Sequence, residues 1–167
     1  MRALATLAAA LLSISLLSGC DEQHEQQGYE RGQSAYNKGD YPTAVREWRP
    51  LAKQGNADAQ FFLGSMYDHG EGVPQNYAEA VRWYRLAAEQ GHAIAQHYLG
   101  AMYSFGQGVP QNYALAYMWS NLAAAQGETE ASTSRDSIAE RMTPEQIARA
   151  QQMSQECLDR NYQGCEP

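Results

Sequence analysis

Residues 56–91 read NADAQFFLGSMYDHGEGVPQNYAEAVRWYRLAAEQG, and residues 92–127 read HAIAQHYLGAMYSFGQGVPQNYALAYMWSNLAAAQG. Laid one over the other without a gap, 22 of the 36 positions are identical. Self-similarity at a fixed period of this size is the mark of a repeat architecture, in which each unit buries its apolar face only against its neighbours. The fold is therefore read from what each shared position does within one unit.

In the first copy Ala59, Leu63 and Met66-Tyr67 fall at helical spacing and give a first helix one apolar face; Ala95, Leu99 and Met102-Tyr103 do so in the second. Gly64 and Gly100 lie inside these helices, where Gly costs about 1 kcal/mol relative to Ala, so close approach of a partner helix is expected there. Gly70 and Gly106 are expected to end the helix in the left-handed conformation. GVPQN then sets an apolar Val and a rigid Pro in the loop and finishes on Asn76 or Asn112, each a strong N-cap. Glu79, three residues after Asn76, predicts a capping box that Leu115 removes from the second copy. A second helix follows through Ala80 and Trp83, or Ala116 and Trp119, and stops at Gly91 or Gly127.

Residues 28–55 repeat the scheme loosely through Gly32, Ala35, Gly39-Asp40-Tyr41, Ala44, Trp48 and Gly55. Gly32 to Ala44 is 12 positions where Gly64 to Ala80 is 16, so the turn between its helices is four residues tighter. Behind the repeats, residues 128–167 are expected to supply capping helices and a tail: one helix over 129–140, and a second opened by Thr143 as N-cap, Pro144 at the first helical position and Gln146 closing a capping box. The Gln-, Glu- and Arg-rich stretch 143–160 suits a solenoid end, which needs a polar outer face.

The combination LGxMYxxGxGVPQNYxxAxxW with AAxQG resembles the Sel1-like repeat, a relative of the tetratricopeptide repeat, over residues 56–127 and more loosely over 28–55. The resemblance implies an all-α chain: a short right-handed α/α solenoid of Sel1-like and tetratricopeptide-like helix pairs. It further implies a non-enzymatic module that binds a protein or peptide on the concave face, lined by the first helices. Some Sel1-like lipoproteins act as immunity partners of secreted antibacterial effectors, a sharper alternative. A cysteine-rich branch binds or hydrolyses β-lactams, but its members carry a Cys pair in every repeat and this chain has none there.

Where the copies share a residue, packing or capping accounts for it; the positions where they differ are those free to serve a ligand. On the first helices these are Phe61, Phe62, Ser65, Asp68 and His69, and His97, Tyr98, Ala101, Ser104 and Phe105. Tyr29, Gln33 and Tyr36 join the same strip by the tetratricopeptide-like alignment. Aromatics and His among small polar residues suit a protein-binding groove, whereas Phe62 and Tyr98 equally suit an inter-repeat core. Catalysis finds no support: there is no GxSxG, HExxH or phosphate loop. His92 and His97 lie on different helical faces, and an Asp68–His69 pair lacks a nucleophile. No metal or cofactor is expected.

The chain of 167 residues carries 12 basic and 19 acidic side chains, a formal charge of -7, and Lys38 and Lys53 are its only lysines. With no basic run or stripe, nucleic acid is not an expected partner. Residues 1–19 join one Arg to an apolar stretch, Ala3 to Leu17, that is short for a membrane span and reads as an export signal. Leu17-Ser18-Gly19-Cys20 resembles the lipobox of bacterial lipoproteins, implying acylation of Cys20, a membrane anchor and a domain facing the periplasm. Asp21 resembles the signal for retention in the inner membrane. Residues 20–27 are expected to be a flexible tether, of which the seven from Asp21 to Gln27 reach at most about 25 Å when extended. Cys157 and Cys165 are then an even pair in an oxidising compartment, with a disulfide the expected reading. Free thiols and a redox or metal pair are the alternatives, and neither CxxC spacing nor a nearby His supports the latter.

Overall fold

The GVPQN loops fix how one helix pair is laid against the next. In the computed structural model, which describes residues 23–166, Gly70 and Gly106 take left-handed φ values of 73° and 68° and donate their N–H groups to the carbonyls of Met66 and Met102. Gly72 is needed for a different reason: a Cβ there would come within 2.6 Å of the Tyr41 carbonyl carbon in the preceding helix pair. Gly108 meets the backbone of Tyr77 in the same way. The side chain of Gln75 donates to the Asp68 carbonyl (2.7 Å), the backbone N–H of Asn76 donates to the Tyr67 carbonyl (2.8 Å), and the Asn76 side chain accepts from the N–H of Glu79. Gln111 and Asn112 repeat the set. Every residue of GxGVPQN thus acts on the backbone except the Val and Pro.

Eight helices and no strands make up the described residues. They are α1 (residues 23–37), α2 (Tyr41–Gln54), α3 (Ala57–His69), α4 (Tyr77–Ala88), α5 (Ala93–Phe105), α6 (Tyr113–Ala125), α7 (Thr129–Ala139) and α8 (Pro144–Asp159). Consecutive helices pack as a right-handed α/α solenoid: α3 on α4, α5 on α6, and each new first helix against the second helix before it. Gly64 and Gly100 permit close approach within a pair, since a Cβ would come 2.7 Å from the Tyr84 ring or from Ser120 Oγ. The core runs through the stack in two clusters, one around Trp48, Leu63 and Met66 and one around Tyr84, Leu99, Met118 and Trp119, with Tyr67 packed against both.

A buried ladder of glutamines locks unit to unit. Gln60 donates to the Ala52 carbonyl at the end of α2 (3.0 Å) and accepts from Gln90 (2.7 Å); Gln96 donates to Ala88 (3.1 Å) and accepts from Gln126 (2.8 Å). Each adds a second donor to a helix-terminal carbonyl that already accepts a backbone N–H, from Gly55 at Ala52 and from Gly91 at Ala88. This explains both glutamines of the shared AxAQ and AAxQG motifs.

Two expectations change. Residues 23–27, expected to belong to a flexible tether, are helical as the start of α1. Their polarity reflects an exposed first turn, and the helix gains its hold from Gly28 onward, where Gly28 packs at Leu51 and the Tyr29 carbonyl accepts from the Trp48 indole (3.2 Å). The capping box at Asn76 is half formed, because the Glu79 carboxylate turns to Arg82 at 2.9 Å. The box at Thr143 and Gln146 is complete. The two expected capping helices are present and divide the end of the stack: α7 takes the place of a further first helix against α6 and α5, while α8 packs across α6. The signal at residues 1–19, Cys20 and Asp21 lie outside the described residues. No described helix is long and apolar enough to cross a membrane.

Candidate functional site

The first helices carry the expected strip, but the two halves of it differ. Toward the N-terminus it is filled by rings. Tyr29 and Tyr36 pack on Trp48 and Phe62, and Phe62 stacks on Trp48 with centroids 4.6 Å apart. Phe61 stacks on His92 (5.0 Å) and meets Tyr84 and Tyr98. The core reading of Phe62 and Tyr98 therefore holds, and Phe61 shares in it. Gln33 bonds within its own helix to Asn37 (3.1 Å), and His69 Nδ1 lies 2.9 Å from the Ser65 carbonyl. The hydroxyl of fully buried Tyr84 donates to Asp68 Oδ2 (3.3 Å), and burial raises the pKa of both groups.

Toward the C-terminus the strip opens into a groove of about 490 Å³ between α5 and α7. His97, Ala101, Ser104 and Phe105, four of the five expected positions of the second copy, form one wall. Phe105 is 69% exposed, an apolar ring held out at the groove mouth. The facing wall includes Thr133, Ser134, Ser137 and Ile138, with Glu130 and Arg141 at either end of α7. The sequence reading missed this wall. Continuing the 36-residue register would have found it: Glu128 then aligns with the N-caps Asn56 and His92, and Ala131 with the buried Ala59 and Ala95.

One exchange separates the two copies beside this groove. Tyr84 in α4 corresponds to Ser120 in α6. The Tyr84 ring fills the space among Phe61, Asp68 and Tyr98, whose counterparts are His97, Ser104 and Ser134. Those three line the groove, and where the first copy sets the Tyr84 ring the second has the small, fully buried side chain of Ser120, which does not itself reach the groove. Its Oγ is buried without a hydrogen-bond partner.

A second polar constellation also escaped the sequence reading. The Cys157–Cys165 disulfide, with Cα atoms 4.9 Å apart, folds the tail back over α4, α5 and α6. Tyr162 lies over Gly91, and Gln163 donates to the Glu89 carbonyl (2.8 Å). Glu166 is held by three groups: Tyr103 OH donates to Oε2 (2.6 Å), Trp119 Nε1 donates to Oε1 (3.0 Å), and Arg85 Nε pairs with Oε2 at 2.9 Å, off its N–H axis. Arg85 also donates to Tyr103 OH (2.7 Å). Burial, then the Glu166 carboxylate, pushes the Tyr103 phenol up to about 12. Glu89 is also raised, by burial and then by Glu166. Among the described residues no group of three or more His, Cys, Asp or Glu is placed to hold a metal ion.

With this geometry in view, the comparisons are specific. The Sel1 repeat family model matches residues 57–92 and 93–128. A Sel1 repeat protein from Oxalobacter formigenes is 32% identical, covers 74% of this chain with 96% of its own length matched, and superposes with a TM-score of 0.64. A protective antigen of uropathogenic Escherichia coli strains that displays an SLR fold is 28% identical over 84% of this chain, with a TM-score of 0.78; this chain spans 31% of its length. No curated protein matches. The chain belongs to the Sel1 repeat family. Members are generally protein-interaction modules, and their fold is typically a non-catalytic scaffold.

Proposed function

We propose that this chain is a non-enzymatic adaptor that binds a protein or peptide in the groove between α5 and α7 while tethered to the bacterial envelope. The groove carries the reading. It joins an exposed aromatic ring, Phe105, to a strip of small polar side chains, with opposite charges from Glu130 and Arg141 at its ends. Aromatic anchors beside small, adaptable hydrogen-bonding groups such as Ser are the composition of versatile protein-binding surfaces. Of the candidate residues, His97, Ala101, Ser104 and Phe105 are the ones that serve; Tyr29, Tyr36 and Phe61 are engaged in packing.

The tether rests on Leu17-Ser18-Gly19-Cys20 and on Asp21 behind it. It puts the domain on the periplasmic side, with the inner membrane favoured, and the Cys157–Cys165 disulfide suits that oxidising compartment. Capture from crosslinked cells tests both parts. The expected catch is one or a few envelope proteins, lost when Phe105 is changed to Ala and kept when His69 is changed to Ala. Cys20→Ala should move the protein out of the membrane fraction. A catch of cytoplasmic proteins alone, or one indifferent to Phe105→Ala, contradicts the assignment.

A further inference from the structure

We propose that Arg49, Tyr67 and Trp83 form a second carboxylate-binding site, on α2, α3 and α4, that takes a glutamate side chain from an acidic segment of a partner protein. The template is in the molecule itself. Arg85, Tyr103 and Trp119 hold the carboxylate of Glu166 through the Arg side chain, the phenol and the indole N–H. Subtracting the 36-residue period from each gives Arg49, Tyr67 and Trp83, the same three residue types at the same spacings. The identity at the Arg position is informative, because Arg49 lies in the degenerate first unit, outside the two matching copies.

The local geometry is also kept. Arg49 donates to Tyr67 OH at 3.4 Å, the counterpart of the 2.7 Å contact between Arg85 and Tyr103. No carboxylate of the described residues lies within ion-pairing distance of Arg49, whereas Arg85 has Glu166. The indole N–H is the sharper sign. Trp83 is 4% exposed and its Nε1 is buried without a hydrogen-bond partner among the described atoms, while Trp119 Nε1 donates to Glu166. Buried N–H donors are nearly always satisfied, so an orphaned one at the equivalent of an occupied site points to an acceptor supplied from outside. A charged acceptor gives the stronger bond.

What surrounds Arg49 selects the occupant. Arg49, the one member of the set that does so, lines a cleft of about 450 Å³ beside the site together with Val45, Arg46, Lys53 and Val73. In a chain of formal charge -7, Arg49 and Lys53 on one helix, with Arg46 beside them paired to Glu47 (3.3 Å), give the cleft a cationic side that attracts an acidic chain. The apolar Val45 and Val73 give the residues beside its glutamate a surface to lie on. This site is separate from the α5–α7 groove and does not depend on it.

The indole N–H signals of Trp48, Trp83 and Trp119 in the isotope-labelled full-length chain, disulfide intact, read the site directly. The probe is a blocked short peptide with one Glu between apolar residues; its Gln counterpart and free glutarate are run beside it. Expected are a saturable downfield shift of the Trp83 N–H with the Glu peptide, fixed Trp48 and Trp119 signals, and much weaker effects from the Gln peptide and glutarate. Arg49→Gln, at an exposed position, should weaken the Glu peptide by about tenfold or more. Tyr67→Phe, which removes only a hydroxyl, should weaken it less. Equal response to the Glu and Gln peptides, equal binding of glutarate, or a Trp83 signal that no carboxylate moves would each overturn the proposal.

Discussion

The two 36-residue copies share a scaffold and differ as complements. In the first, Tyr84, Phe61 and Tyr98 close the strip on the first helices, and the Arg–Tyr–Trp set receives no carboxylate from the described chain. In the second, Ser120 stands in place of the ring and the strip is open as a groove, and the Arg–Tyr–Trp set is filled by Glu166 from the tail. The difference teaches that duplication preserves the positions that hold backbone to backbone, such as Gly72 and Gly108 or Gln60 and Gln96, and frees those that face a cavity. The two proposed binding surfaces lie where the copies differ: beside the ring absent at position 120, and at the Arg–Tyr–Trp set that the tail does not reach.

The largest test of that comparison exchanges the ring. Tyr84→Ser should cost about 3–5 kcal/mol, as for other large aromatic truncations in a core, because Tyr84 is fully buried and its hydroxyl bonds Asp68. Denaturant unfolding measures it. A cost below about 1 kcal/mol would mean that the first-copy strip is not held shut by this ring.

A smaller effect is expected at the tail. Glu166→Gln removes a negative charge from Arg85, Tyr103 and Trp119; since Arg85 is partly exposed, the loss should be about 1–2 kcal/mol. The same change should bring the Tyr103 phenol down from about 12, which phenolate absorbance follows. The sign is set by the raised value. The folded state keeps the Tyr103 proton that the unfolded chain gives up near the ordinary tyrosine value of 10, so this contribution to stability is whole below 10 and is lost as pH rises toward 12. Glu166→Gln should narrow that window.

Much of the scaffold was legible in the sequence because its signals are local. Gly70 and Gly106 as left-handed stops, Asn76, Asn112 and Thr143 as caps, and Gly64 and Gly100 as close-approach points all report on neighbours within a helix pair. So did the pairing of Cys157 with Cys165, eight residues apart around a turn. The half-formed capping box had a local competitor that was overlooked, Arg82 one turn beyond Glu79. The start of α1 was missed because an exposed polar helical turn carries no periodicity to tell it from a tether.

The site was legible on one wall only. His97, Ala101, Ser104 and Phe105 were found by asking where the copies differ. That question has no purchase on α7, which has no matching copy to differ from, or on Ser120, whose importance is a ring that is missing. Glu166 meets Arg85 across 81 residues of chain, a contact that no spacing rule reaches. The glutamine ladder was visible as identity, yet its cause, a carbonyl at the end of the preceding unit, became plain only with the units stacked.

The central claim is that the groove beside Ser120 is the binding surface. Refilling it is the most direct measurement: Ser120→Tyr restores to the second copy the residue of the first, whose ring would then project among His97, Ser104 and Ser134. The account predicts a folded, helical chain that no longer captures the envelope partner of the unaltered protein. A folded Ser120→Tyr chain that captures that partner undiminished would contradict it.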